Sequence, residues 1–248
     1  KAIHIATSGR PGPCLIDLPD DIQRTIILKK NQKIFKAKLE NKKLEQLKKS
    51  VKKACNIIKK SKRPIFLIGN GVKISNTITD IKKIINKFQI PYAPTWATFD
   101  CFSGNDKLNI GSLGVYASRY GNFSIHNADL LVILGSRLSA PLIGGNPKLF
   151  APKARKIQID IDPFELKEEN KISIDLKINS NLKDFVKLLK KEKNLWSTNK
   201  SWIKHINDLK NKYPLVNEKY KKPQKFVNPY FFFNELSKFT KKNDIIIP

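Results

Sequence analysis

Three short runs constrain the fold more than anything else in the sequence: PIFLI at 64–68, LLVIL at 130–134 and KIQIDI at 156–161. The first two are apolar at every position. A strand with one face in water alternates apolar with polar residues, so a continuous apolar run needs cover on both faces. The segments between these runs carry apolar residues three and four apart. Leu44, Leu47, Val51, Ala54 and Ile58 make one such helical face, and Ile78, Ile81, Ile84, Ile85 and Phe88 another. Strands that alternate with amphipathic helices predict an α/β fold built on a doubly wound, mostly parallel sheet. Further strands are expected at IPYAPTW (90–96) and ISIDLKI (172–178). Helices are expected at NFSIHNA (122–128) and NLKDFVKLLKK (181–191).

The flanks read differently. HIATSGRPGPCLIDLPDDI (4–22) holds a stiff Gly-Arg-Pro-Gly-Pro turn, and CLIDLP (14–19) follows it as an expected strand. A second apolar patch, TIILKK, lies at 25–30. The expected division is 1–28 as the tail of one α/β domain, 29–42 as a Lys-rich linker, and 43–192 as a central domain. A linker with a helix then spans 193–225, with Ser197 or Thr198 as its N-cap. Residues 226–248 read as the start of a third domain, a helix followed by an incipient strand at DIIIP. The sequence contains no methionine, and both ends are expected to be cut inside structure.

The net charge of +27 invites a nucleic-acid reading, but the kind of cation argues against it. Of 48 basic residues only six are arginine (10, 24, 63, 119, 137 and 155), and the rest are lysines. Guanidinium forks dominate base and phosphate recognition, whereas dispersed lysines solvate helix faces. No nucleic-acid partner is expected. Cys14, Cys55 and Cys101 are isolated, and His4, His126 and His205 are equally scattered, so a zinc site is not expected. Unpaired cysteines and the lack of any run long enough to span a bilayer predict a cytoplasmic protein with no membrane contact.

Open parallel sheets bind ligands beyond the carboxyl ends of their strands. Four segments fall there: GNG (69–71), GSLG (111–114) followed by Tyr116 and Arg119, GSRLSAPLIGG (135–145), and DIDPFEL (160–166). The candidate ligand-binding residues are Gly69, Gly71, Gly111, Gly114, Arg119, Gly135, Arg137, Asp160 and Asp162. Each has a plain structural alternative. Glycines close turns, Arg137 could pair with a neighbouring helix, and either Asp could cap a helix after Pro163. Together they suggest an extended, phosphate-bearing ligand across the sheet edge. Spacing alone leaves open a free-standing, non-catalytic nucleotide-binding domain.

The segments GRPGPCLIDLPDDI, SKRPIFLIGNGV, GNFSIHNADLLVILGSRL, ARKIQIDIDPFEL and NPYFFFNELSK, in this order, resemble thiamine-diphosphate-dependent enzymes of the acetolactate synthase type. The resemblance covers essentially the whole chain. It implies three α/β domains, the central one Rossmann-like, with this chain holding the end of the pyrimidine-binding domain, the whole central domain and the start of the diphosphate-binding domain. It further implies decarboxylation of a 2-oxo acid and ligation of the product to a second carbonyl, two pyruvates giving acetolactate and CO2 in branched-chain amino acid biosynthesis. Thiamine diphosphate and Mg2+ would be held by residues outside this chain, so no catalytic residue and no metal ligand is assigned. FAD would occupy the central domain, lined by the candidate residues above. The resemblance implies a homodimer or homotetramer and allows a regulatory subunit. The family follows the equivalent of Arg137 with an acidic pair and a second Arg, where this chain has the uncharged LSAPLIGG. That departure leaves another thiamine-diphosphate lyase or decarboxylase open.

Overall fold

A computed structural model describes residues 1–28, 35–37, 44–167, 172–196, 199–222, 225–241 and 243–246. Five strands, β1 (Pro64–Ile68), β2 (Tyr92–Pro94), β3 (Leu130–Leu134), β4 (Arg155–Asp160) and β5 (Leu176–Asn179), form one sheet in the order β2-β1-β3-β4-β5. Every pair is parallel, as the apolar runs predict. β1 and β3 are buried at every position, so both faces of the sheet are covered. The chain leaves β1 towards β2 and returns to the other side of β1 with β3. The order therefore reverses between β1 and β3, and a crevice opens at their carboxyl ends.

The helices are α1 (Ala2–Thr7), α2 (Asp20–Gln23), α3 (Leu44–Lys60), α4 (Asn70–Ile74), α5 (Ile78–Phe88), α6 (Arg119–Asn127), α7 (Ala140–Ile143), α8 (Leu182–Leu189), α9 (Lys200–Lys212), α10 (Glu218–Lys221) and α11 (Pro229–Phe239). α3 buries Val51, Ala54, Cys55 and Ile58, and α5 buries Ile81, Ile84, Ile85 and Phe88, the faces that the periodicity marks. Leu44, expected on the first face, is half exposed at the helix start. α3 packs on α8 and α6 on α9. Among the described residues, no helix is long and apolar enough to cross a membrane.

Three local expectations are corrected. CLIDLP forms no strand, and Leu15 and Ile16 are exposed, because a strand needs a ladder partner and none of the described strands lies beside it. Residues 244–246 are likewise not a strand, and Ile247 and Pro248 lie outside the described residues. The cap of α9 is Asn199, whose side chain accepts from the Ser201 and Trp202 N–H groups; Ser197 and Thr198 lie outside the described residues. Most of the 29–42 linker also lies outside them. The segment after residue 192 does not stand apart from the sheet. Trp196, Trp202 and Ile206 join the central hydrophobic cluster, and the two indoles donate to the Ser61 and Pro64 carbonyl oxygens.

Candidate ligand site at the carboxyl edge of the sheet

The crevice between β1 and β3 is closed at its floor by glycines. The Gly69 N–H donates to the Leu134 carbonyl at 2.9 Å, and the Gly71 N–H to the Gly135 carbonyl at 3.0 Å. A Cβ on Gly71 would lie 2.8 Å from the Gly135 Cα, and Gly135 itself sits at φ +60°. Two loops can approach this closely only without side chains. These N–H groups are spent between the loops, so GNG does not cradle a phosphate through them. The structural alternative holds for Gly69, which is buried against Gly135.

Above this floor lies a cavity of about 740 Å³, of the size that holds a cofactor. Its wall includes Gly71, Gly135, Arg137 and Asp160 from the candidate set. Gly69, Gly111, Gly114, Arg119 and Asp162 lie outside that wall. Gly111 and Gly114 have positive φ and belong to a tight loop on α6 and α7. Asn122 on α6 closes it by exchanging two 3.0 Å hydrogen bonds with Gly114. A Cβ on Gly114 would meet the Pro141 carbonyl at 2.2 Å. Arg119 opens α6 on the exposed surface behind its cap, Ser118.

The wall also contains residues that sequence reasoning left unmarked. Trp96 follows β2 and pairs with Tyr116 at 5.8 Å between ring centroids, so GSLGVY reaches the cavity rim through its aromatic partner. Asn181, the N-cap of α8, and Leu182 come from the far side of the sheet. Leu138, Ser139 and Leu142 come from LSAPLIGG and add no charge. Leu138 is held at φ 52°, a conformation that costs a bulky residue on the order of 1–3 kcal/mol and is most often retained at functional sites. A second cavity of about 270 Å³ adjoins the first and shares Arg137 and Leu138 with it.

The acidic residues of DIDPFEL divide their work. Asp160 ends β4, buried, and its Oδ1 accepts the Asp162 N–H at 3.0 Å. Burial raises the pKa of its carboxyl above the ordinary aspartate value, partly opposed by that N–H. Asp162 accepts the Phe164 N–H at 2.9 Å and caps a turn rather than the expected helix after Pro163. Its other oxygen lies 3.2 Å from Nη1 of Arg10, in the Gly-Arg-Pro-Gly-Pro turn. Nη1 of Arg10 also reaches Oε1 of Glu165 at 2.7 Å, and Nε of Arg137 meets the same oxygen at 3.0 Å. Arg137 therefore has an ion pair, though with a turn and not with the neighbouring helix expected as its structural alternative, while still lining both cavities. Neither Arg10 nor Glu165 was marked from sequence, although both sit in quoted segments.

A nucleotide fits this donor set. Asp160 offers a buried acceptor of the kind that holds a ribose hydroxyl, Arg10 and Arg137 offer guanidinium groups at the mouth, and Trp96, Leu138 and Leu142 offer apolar surface for a ring. Among the described residues no group of three His, Cys, Asp or Glu could hold a metal ion.

An open, all-parallel sheet with a crevice at its switch point defines a Rossmann-like α/β domain. Residues 51–189 match the family described as thiamine pyrophosphate enzyme, central domain, and the chain belongs to that family. It is 34% identical over 224 residues to a probable acetolactate synthase large subunit of Methanococcus aeolicus, covering 85% of this chain and 37% of that protein. It is 30% identical over 257 residues to the acetolactate synthase large subunit of Buchnera aphidicola subsp. Schizaphis graminum, covering 99% and 43%. Acetolactate synthase 1, chloroplastic, of Nicotiana tabacum is 28% identical over 251 residues, covering 99% and 37%. The chain thus spans about two-fifths of the length of the curated relatives it matches.

Proposed function

We infer that this chain is the central part of a thiamine-diphosphate-dependent carboligase of the acetolactate synthase type. The observation that carries the reading is the match to the central domain of these enzymes together with relatives named acetolactate synthase over most of the chain. The reaction would decarboxylate pyruvate, or another 2-oxo acid, and join the remaining two-carbon unit to a second carbonyl. Thiamine diphosphate supplies the electron sink for decarboxylation, and it and Mg2+ are assigned to parts of the enzyme beyond these residues. The enzyme would work as a homodimer or homotetramer, with or without a regulatory subunit, in the cytoplasm.

Within this chain the role is to bind and orient a nucleotide at the switch point, FAD in the acetolactate synthase reading. Asp160 would hold a ribose hydroxyl, Arg137 and Arg10 the diphosphate, and Trp96 with Leu138 and Leu142 an aromatic ring. The uncharged Leu138–Gly145 stretch favours one second reading, a sister lyase or decarboxylase with a different nucleotide. The test is an assay of the whole enzyme with pyruvate, thiamine diphosphate and Mg2+, alongside its absorption spectrum. Thiamine-dependent acetolactate formation by a yellow protein is the expected result. CO2 release without acetolactate favours the sister enzyme, and no thiamine-dependent turnover contradicts both.

A further inference from the structure

The two arginines at the cavity mouth converge on one atom. Nη1 of Arg10 donates to Oε1 of Glu165 at 2.7 Å, and Nε of Arg137 forms an ion pair with the same oxygen at 3.0 Å. They come from segments far apart in sequence, the turn at 9–13 and the loop after β3. Two like charges this close repel unless an anion lies between them, and Glu165 fills that place with its side chain only 17% exposed. Arg137 is 66% exposed and meets Glu165 through Nε, and it lines the cavity as Arg10 does. A point flanked by two guanidinium groups, beside a cavity of nucleotide size, is where a phosphate oxygen would sit. The carboxylate occupies it in this structure.

We propose that Glu165 is a built-in competitor for the anionic group of the cavity's ligand, a diphosphate, which takes its place between Arg10 and Arg137. The inference rests on reading the cavity as a nucleotide site. A diphosphate carries more charge and more acceptor oxygens than one carboxylate, so it satisfies both guanidinium groups when Glu165 swings away. Asp162 keeps its own bond to Arg10 and steadies that arginine during the exchange. Glu165 then sets affinity from within: it preserves the arginine pair without ligand and taxes every binding event. Because Arg10 belongs to the turn that precedes the central domain, the exchange also reports occupancy to that segment.

The test is calorimetric titration of the 248-residue chain with inorganic pyrophosphate and, separately, with ADP. Glu165→Gln keeps the shape and removes the competing charge. It is expected to bind both probes roughly threefold tighter or more, the scale of one partly exposed ion pair. Adding Arg137→Gln to that background should cancel the gain. Glu165→Asp, which withdraws the carboxylate by one methylene, should also tighten binding and guards against misfolding of the first variant. Unchanged or weaker binding in both Glu165 variants, with melting temperatures preserved, overturns the competitor while leaving the nucleotide reading intact. A gain for ADP without one for pyrophosphate also overturns it, since the nucleoside rather than the anion would be responsible. No binding of pyrophosphate or ADP by any variant removes both readings.

Discussion

Gly69 and Asp160 bracket what single residues do in this domain. At Gly69 an added Cβ would lie 2.2 Å from the Gly135 carbonyl oxygen, and backbone cannot yield as a side chain tip can. Gly69→Ala is therefore expected to lower stability by about 3 kcal/mol, the upper end of overpacking costs, seen as a lower urea midpoint. An unchanged midpoint would mean that the β1 and β3 loops are not in contact. Asp160 behaves in the opposite way. Burial raises its folded pKa above the unfolded one, so its ionised form costs stability at any pH above the folded value. The cost fades as pH falls through the folded pKa and is gone below the unfolded one. Asp160→Asn keeps an oxygen for the Asp162 N–H and should raise the melting temperature at neutral pH. That advantage should vanish in acid, below the ordinary aspartate range. A retained carboxyl that costs stability is what a ligand-binding residue looks like without its ligand.

At the scale of elements, helix caps and strand ends fix how the layers pack. Asn199 caps α9 through two backbone N–H groups, and α9 brings Trp202 and Ile206 into the core. Asn199→Ala is expected to cost about 1 kcal/mol, read by thermal unfolding, and should loosen the α9 packing on α6. The sheet was legible because buried parallel strands have an apolar signature that few other elements share: PIFLI and LLVIL could sit nowhere but inside. The helices were legible from their spacing. CLIDLP was misleading because apolar content reports burial or pairing somewhere, without naming a partner that must come from elsewhere in the chain or beyond it. The site was half legible. Glycines, Arg137 and the aspartates announce strand ends, but whether a strand-end residue faces the cavity depends on tertiary closure. Arg10 and Glu165 are 155 residues apart, and no local pattern joins them. Trp196 and Trp202 reach back to Ser61 and Pro64 over a similar gap, which composition alone reads as a linker.

Across the whole molecule, apolar surface and charge are unevenly placed. The first 28 residues expose Ile3, Leu15, Ile16, Ile26 and Ile27, and the last segment exposes Phe226, Val227, Tyr230 and Phe239, whereas the sheet between them is closed. Apolar residues exposed together in this way are a surface for packing, consistent with a central domain that works between neighbours in the proposed enzyme. The two flanks are not equivalent, because Arg10 ties the first to the cavity mouth through Asp162 and Glu165. The central claim is that the carboxyl edge between β1 and β3 binds a nucleotide. It is tested most directly by following backbone amide resonances of the 248-residue chain during titration with FAD. The account predicts saturable shifts concentrated at Asn70, Gly71, Ser136, Arg137, Asp160 and Asn181, with little change at Gly111, Gly114 and Arg119. Shifts confined to the 111–119 loop or to the flanks, or none at saturating FAD, would contradict it.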